Sequence, residues 1–335
     1  MSRIGLVAIG RNEGQRLRQC LQSVVGQVEV MVYVDSGSTD GSVDLARSLG
    51  VSVVELDLSI PFTAARARNA GLARLLEVAP EIEYVQFVDG DCEVVPGWLE
   101  LAERTLNQHP EVVVVCGRRR ERFPAATIYN QICDIEWDTP IGEAKACGGD
   151  AMMRVAALQQ VGGYNPTLIA GEEPELCVRL RQNGGKILRL DAEMTLHDAQ
   201  MTRFQQWWKR SQRAGHAYAE GAWLHGDPPE RHWVADVRRI AFWGLGVPLV
   251  AIAAAWWTRG LSLLLLLGYP VMVYKIFKYY RRSLPSKQAL LYALFCMLGK
   301  FPQAQGLLQF YWNKFSGKRS TLIEYNSVPS QKSAI

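Results

Sequence analysis

Acidic residues are missing from one long stretch of this 335-residue chain. Between positions 237 and 323 there is no Asp or Glu, yet twelve Lys or Arg fall there; the whole chain carries a formal +4, so the remainder sums to −8. The near-balance is an average of an acidic portion and a basic, very apolar one. Paired cysteines are missing too. Cys20, Cys92, Cys116, Cys133, Cys147, Cys177 and Cys296 are odd in number, with no C-x-x-C pair. That argues against a disulfide framework or a zinc site, and for buried thiols in a reducing, cytosolic setting. A signal-peptide pattern is also lacking, because the N-terminus opens directly on a strand-like run; none is expected. What is present is a globular composition, with length for one large domain and an appendage, or for two domains.

In the acidic portion, strand-like and helix-like patterns alternate. Residues 4–9 are an apolar run, and 13–25 carry helical spacing through Leu17, Leu21, Val24 and Val25. A second strand is predicted over 28–34, a helix near 42–49 stopping at Gly50, and a third strand over 51–56. A helix over 64–78 and a fourth strand over 84–88 follow. Repeated β-α-β units with continuous apolar strands predict an α/β fold, a mostly parallel sheet with helices on both faces.

Each strand then delivers polar residues at its carboxyl end, where open α/β sheets bind ligands. The first delivers Arg11, Asn12 and Glu13, the second Asp35 and the turn through Asp40, and the fourth Asp89, Gly90 and Asp91. Asp89 and Asp91 offer hard oxygens of the kind Mg²⁺ or Mn²⁺ takes alongside substrate phosphates. By itself the triplet reads equally as an ordinary turn. Asp40 reads as a helix N-cap, whereas Asp35, directly off its strand, can accept from a nucleobase or ribose.

These residues resemble the nucleotide-sugar half of a family-2 glycosyltransferase with the Rossmann-like GT-A fold. The resemblance runs in order through Arg11–Glu13, VDSGSTDGS, ARARNAG (65–71), VDGD, GGDAMMR (148–154), VGGYNP (161–166) and AGEEPELCVRLR (170–181), about the first two hundred residues. It implies metal-dependent, inverting transfer of a sugar from a nucleotide diphosphate, UDP most commonly, to an acceptor hydroxyl. Carried over residue by residue, Asn12, Glu13, Asp35, Arg68, Asn69 and Asp89 would bind nucleotide. Asp89, Asp91 and His197 would hold the Mg²⁺ or Mn²⁺, and Gly149 and Asp150 would face sugar or acceptor. Trp207 and Trp208, in a run (205–210) that departs in residue order from the family's processive element, are read instead as stacking on acceptor sugar or lining a membrane interface. Glu173 aligns with the family's Asp and is nominated as the base that takes the acceptor proton. The extra methylene leaves the choice between Glu172 and Glu173 open. Each role has a plainer rival: an Arg-rich surface helix for Arg68 and Asn69, helix-dipole pairing for one glutamate, packing for His197, and a membrane interface for the tryptophans.

The basic portion holds two uncharged stretches, 241–257 and 261–274, joined by Thr258, Arg259 and Gly260 and flanked by cations. Each is slightly short for a span, and flanking aromatics and snorkelling cations can extend both. The pattern predicts a hairpin that either spans or dips into one leaflet, with the catalytic domain on the positive, cytoplasmic side of a bacterial inner membrane. Residues 288–298 and 307–312, interrupted by Gly299, Pro302 and Gly306, read as interfacial helices. The expected domains are 1–225 (transferase), 226–312 (membrane-associated helices) and 313–335 (a polar tail). Expected partners are a nucleotide-sugar donor, a glycan or polyprenyl-lipid acceptor and the membrane, with no nucleic acid; oligomeric state is not legible. The alternatives are a membrane-anchored nucleotide-binding scaffold without turnover and a sugar nucleotidyltransferase. The latter would lead with a Gly-rich activation loop, which residues 4–14 lack.

Overall fold

A computed structural model describes residues 3–318 and 320–324. In chain order it begins with β1 (Ile4–Gly10), α1 (Gln15–Gln22), β2 (Val30–Asp35), α2 (Ser42–Ser48), β3 (Ser52–Glu55), α3 (Ala64–Val78), β4 (Tyr84–Asp89) and β5 (Cys92–Val94). There follow α4 (Trp98–Gln108), β6 (Val112–Glu121), α5 (Ile128–Glu136), β7 (Gly142–Glu143), β8 (Ala151–Arg154), α6 (Val155–Val161), α7 (Glu172–Gln182) and β9 (Lys186–His197). The remainder is helical: α8 (Phe204–His225), α9 (Val234–Ala241), α10 (Val247–Ala253), α11 (Gly268–Tyr280), α12 (Ser286–Leu298) and α13 (Lys300–Phe315).

The chain divides into two compact units. The first runs through Phe123 and resumes over Glu136–Ala199. Its described residues build a nine-stranded sheet ordered β3-β2-β1-β4-β8-β6-β9-β5, with β7 against β9. The first four strands are parallel; β8 is antiparallel to β4 and β6, so the sheet is mixed rather than uniform. Register brings Gly10 level with Asp35, and Ile9 level with Asp89. Three carboxyl ends therefore stand at one height. β1 and β4 are buried almost throughout, as strands covered on both faces must be. At Gly71 an added Cβ would stand 2.3 Å from a Val7 methyl, so glycine there lets α3 lie directly on β1.

The second unit comprises Pro124–Ile135 and the chain from Gln200 onward. The sequence patterns group α8 with the sheet; by its contacts it belongs with the helices. The reason is its small-residue face: a Cβ at Gly215 would stand 2.0 Å from the Gln303 carbonyl oxygen, and one at Gly306 would stand 1.9 Å from that of Gln212. Gly306 is therefore a close-crossing point inside an unbroken α13, and Pro302 sits in that helix's first turn, where a missing N–H costs nothing. The first uncharged stretch starts at the last residue of α9 and runs through a π-helical turn (Phe242–Gly246) and α10, while the second begins as a 3₁₀ helix (Leu261–Leu267) and continues as α11. Of the expected tail, residues 313–315 complete α13; Arg319 and residues 325–335 lie outside the described residues.

Candidate active site

The loop after β1 is tied to the loop after β2. Asn12, at φ 58°, donates its N–H to Ser38 Oγ (2.8 Å) and accepts the Thr39 N–H on Oδ1 (2.7 Å). Asp35 is buried, and its carboxylate accepts from the Gly37 and Ser38 N–H groups, both at 2.8 Å, and from the Tyr33 hydroxyl at 3.0 Å. It holds its own turn closed, so its oxygens are already committed before any base arrives.

At the end of β4 lies a charged lattice. Asp89 meets Arg68 at 2.8 Å through one oxygen and Arg119 at 3.1 Å through the other. Arg68, buried, reaches Glu172 at 2.7 Å with its second terminal nitrogen and lies over the Tyr164 ring. Asp150 is fully buried: it accepts the Asp89 N–H (3.0 Å) and the Thr195 hydroxyl (2.7 Å), and meets Arg119 at 2.8 Å. Sequence reasoning expected Asp150 at sugar or acceptor; its oxygens are instead bound inside this lattice, since a buried carboxylate must be paired. Gly149 backs onto the same groups, and a Cβ there would come within 3.0–3.1 Å of Arg68, Arg119 and Asp89. Asn69, expected at the diphosphate, clamps the Tyr164 backbone instead, donating to its carbonyl (2.7 Å) and accepting its N–H (2.8 Å).

Asp91 and His197 converge, Oδ2 to Nε2 at 3.2 Å. His197 ends β9, and its Nδ1 lies 3.7 Å from buried Glu121. Burial alone would lower the imidazole, yet Asp91 and Glu121 raise it to about 9. Asp91 is pushed up by burial but held well below the carboxylate range by His197 and Arg119. Beside them Glu13 pairs with Arg16 at 2.6 Å, and burial, then the Asp91 charge, raises it to about 7. A carboxylate oxygen and an imidazole nitrogen about 3 Å apart suit two ligands on one divalent ion with bonds near 2.1 Å. Asp91 and His197 thus fit an Mn²⁺-type cation, whereas Asp89 faces two guanidiniums.

Three glutamates open α7, and each has its own partner. Glu172 meets Arg68; Glu175 forms a two-pronged pair with Arg179 (2.9 and 2.7 Å). Glu173 Oε1 accepts the Cys147 N–H at 2.6 Å and the Cys147 and Cys177 thiols, each at 2.9 Å. Burial raises the Glu173 carboxyl, while the hydrogen bonds from Cys147 and Cys177 lower it.

Trp207 and Trp208 belong to the second unit. Trp207 is buried and packs edge-on against Phe295; as core it offers no face for stacking on sugar. Trp208 donates to Gln305 at 2.9 Å. Sequence reasoning missed Arg119 and Glu121. The run Arg118–Arg120 at the end of an apolar strand was the available signal, because alternation turns the middle arginine inward.

Residues 7–160 match the family model described as Glycosyl transferase family 2. Among solved structures, a mannosyltransferase of Pyrobaculum calidifontis in complex with GDP-Man and Mn²⁺ is similar, with 14% identity, 93% of this chain and 88% of that one covered, and a TM-score of 0.60. Among curated proteins, a TPR repeat-containing protein of Synechococcus elongatus is 29% identical over 39% of this chain and 31% of its own length. Glycosyltransferase AglE of Haloferax volcanii is 26% identical over 48% and 55%. The chain thus spans from about a third to about half of these curated relatives. Fold and family match coincide on the lattice-bearing unit: residues 7–160, a little under half of the chain, match the family 2 glycosyl transferase model, and the unit has a GT-A fold.

Proposed function

We propose that this protein transfers a sugar from a nucleotide diphosphate, with inversion, to an acceptor hydroxyl, and does so at a membrane surface. The carrying observation is the Asp91–His197 pair beside the Asp89 lattice. Glu13, Asp89, Asp91, Asp150 and Glu172 stand against Arg16, Arg68, Arg119 and His197, so anions at least match cations before any substrate enters. A diphosphate needs a further positive charge there. Asp91 and His197 would hold a divalent ion, which would supply that charge and neutralise the departing nucleotide. The chain's own residues do the rest. Arg68 and Arg119 fix Asp89 at the strand end. The carboxylate of Glu173, raised by burial, takes the proton from the acceptor oxygen as it attacks the anomeric carbon. UDP is the family's commonest carrier, while the Pyrobaculum relative was solved with GDP-Man; both belong in the test.

The membrane reading rests on Leu261–Tyr280, 20 residues that include an 18-residue window of mean hydropathy 1.5 and of which only Ser262 is buried. Seven residues of 3₁₀ and thirteen of α helix extend about 33 Å, enough for a hydrocarbon core of about 30 Å. Trp256 and Trp257, 88% and 80% exposed, precede it, and Lys275, Lys278, Arg281 and Arg282 crowd its far end. A lipid-linked acceptor and a catalytic unit on the cytoplasmic face follow from this reading.

Glu173→Gln should lower kcat by ~10²–10⁴-fold while still being stabilised by UDP or GDP with Mn²⁺ in thermal unfolding. Asp91→Asn should lose the Mn²⁺-dependent part of that stabilisation. Full transfer by both variants sinks the assignment, and nucleotide binding with no transfer by the unaltered chain on any acceptor favours the scaffold reading.

A further inference from the structure

Cys147 and Cys177 are 30 residues apart in sequence, yet their sulfurs stand 3.8 Å apart. Cys177 is on α7 one turn after Glu173, so both project from the same helix face. Cys147 comes from the loop before Gly148, whose φ of +86° turns the chain back toward α7. Both thiols point at one oxygen, Glu173 Oε1, at 2.9 Å. Two sulfurs and a carboxylate oxygen thus converge, with all ligand atoms within 4.8 Å of one another.

That spacing has a physical meaning. Tetrahedral zinc binds thiolate at about 2.3 Å, which puts two sulfurs of its shell about 3.8 Å apart. The pair is therefore already at the edge length of a zinc tetrahedron. Two soft donors with one carboxylate select Zn²⁺ or Co²⁺ over Mg²⁺ or Mn²⁺, so the set is chemically distinct from Asp91 and His197. Three protein ligands leave a fourth position for water.

The geometry points to a thiophilic metal site formed by Cys147, Cys177 and Glu173, which takes Zn²⁺ and withdraws Glu173 from catalysis. On binding, two S–H bonds break, two Zn–S bonds form, and both protons leave to solvent; no oxidant or reductant takes part. The site itself is independent of the reaction, and its inhibitory consequence rests on reading Glu173 as the base. The absence of C-x-x-C is no obstacle, because the fold, not the sequence spacing, brings the two thiols together.

Co²⁺ added to the chelator-treated full-length chain in detergent tests the site without reference to activity. One equivalent per chain should produce thiolate-to-cobalt charge-transfer absorption. Cys147→Ser and Cys177→Ser should each lose it, and Asp91→Asn should keep it. Should either cysteine variant fail to fold, X-ray absorption of the zinc-loaded unaltered chain decides, with two sulfurs at about 2.3 Å expected. No charge-transfer absorption, absorption that survives both cysteine variants, or a shell of nitrogen and oxygen alone overturns the proposal. In excess Mn²⁺, filling the sulfur site should cut sugar transfer by at least ~10²-fold. If the site fills and transfer continues, the zinc site stands and Glu173 is not the base. If Zn²⁺ stops transfer without sulfur absorption, it acts at Asp91 and His197, and the sulfur site falls.

Discussion

His197 is the residue whose environment makes the sharpest statement about pH. Its ordinary value of 6.5 is raised to about 9 by Asp91 and Glu121 against the opposing effect of burial. A folded-state value above the unfolded one contributes stability that is complete below about pH 6.5 and is lost as pH rises through about 9. The chelator-treated chain should therefore lose denaturant stability across that window, and His197→Gln should flatten the profile. Added Mn²⁺ should reverse the trend, because a ligand proton must leave before the metal binds. At this scale strand ends and a helix start single out Asp89, Asp91, Glu172 and Glu173 in the sequence, whereas His197 comes only from the resemblance, since the sequence pattern ends its strand near residue 190 and β9 runs on to it. The sequence concealed what each side chain touches. Asn69 and Asp150 are occupied by contacts with residues about 95 and 31–61 positions away, and no local pattern encodes partners so distant.

Among the elements, the strands and helices of the first unit follow from apolar runs and 3.6-residue spacing, and α3 occupies the expected residues 64–78. The later strands were harder to read, because β8 is four residues long and β9 reaches twelve by pairing with β6, β5 and β7. Glycine is the instructive failure. Read as a breaker, Gly306 should be improved by alanine, which favours helix by about 1 kcal/mol. Seen as a crossing point, the new methyl meets a backbone carbonyl, and Gly306→Ala should instead destabilise the helical unit by about 1–3 kcal/mol. Urea unfolding followed by Trp fluorescence gives the sign, and a stabilised variant would mean that α8 and α13 do not cross there.

For the molecule as a whole, charge segregation carries the functional consequence. Described residues 237–318 present cations and exposed apolar side chains without a single acid, a surface suited to anionic headgroups and acyl chains. Arg259, between the two uncharged stretches, distinguishes a spanning hairpin from one that dips into a single leaflet. With native cysteines blocked, Arg259→Cys in intact cells should react with an impermeant maleimide if the hairpin spans, and stay unlabelled if it dips. Flotation with vesicles of anionic lipid checks association itself; a chain that remains in the dense fraction removes the membrane from the reading.

The position of Arg68 bears on how any mutagenesis of this protein must be interpreted. One guanidinium serves Asp89 on the sheet side and Glu172 on α7, so residue 68 belongs to two experiments at once. A slow Arg68 variant confounds a displaced strand end with a displaced helix start. Only its pairwise combinations with changes at Asp89 and at Glu172, compared for departures from additivity, assign the loss to one side or the other.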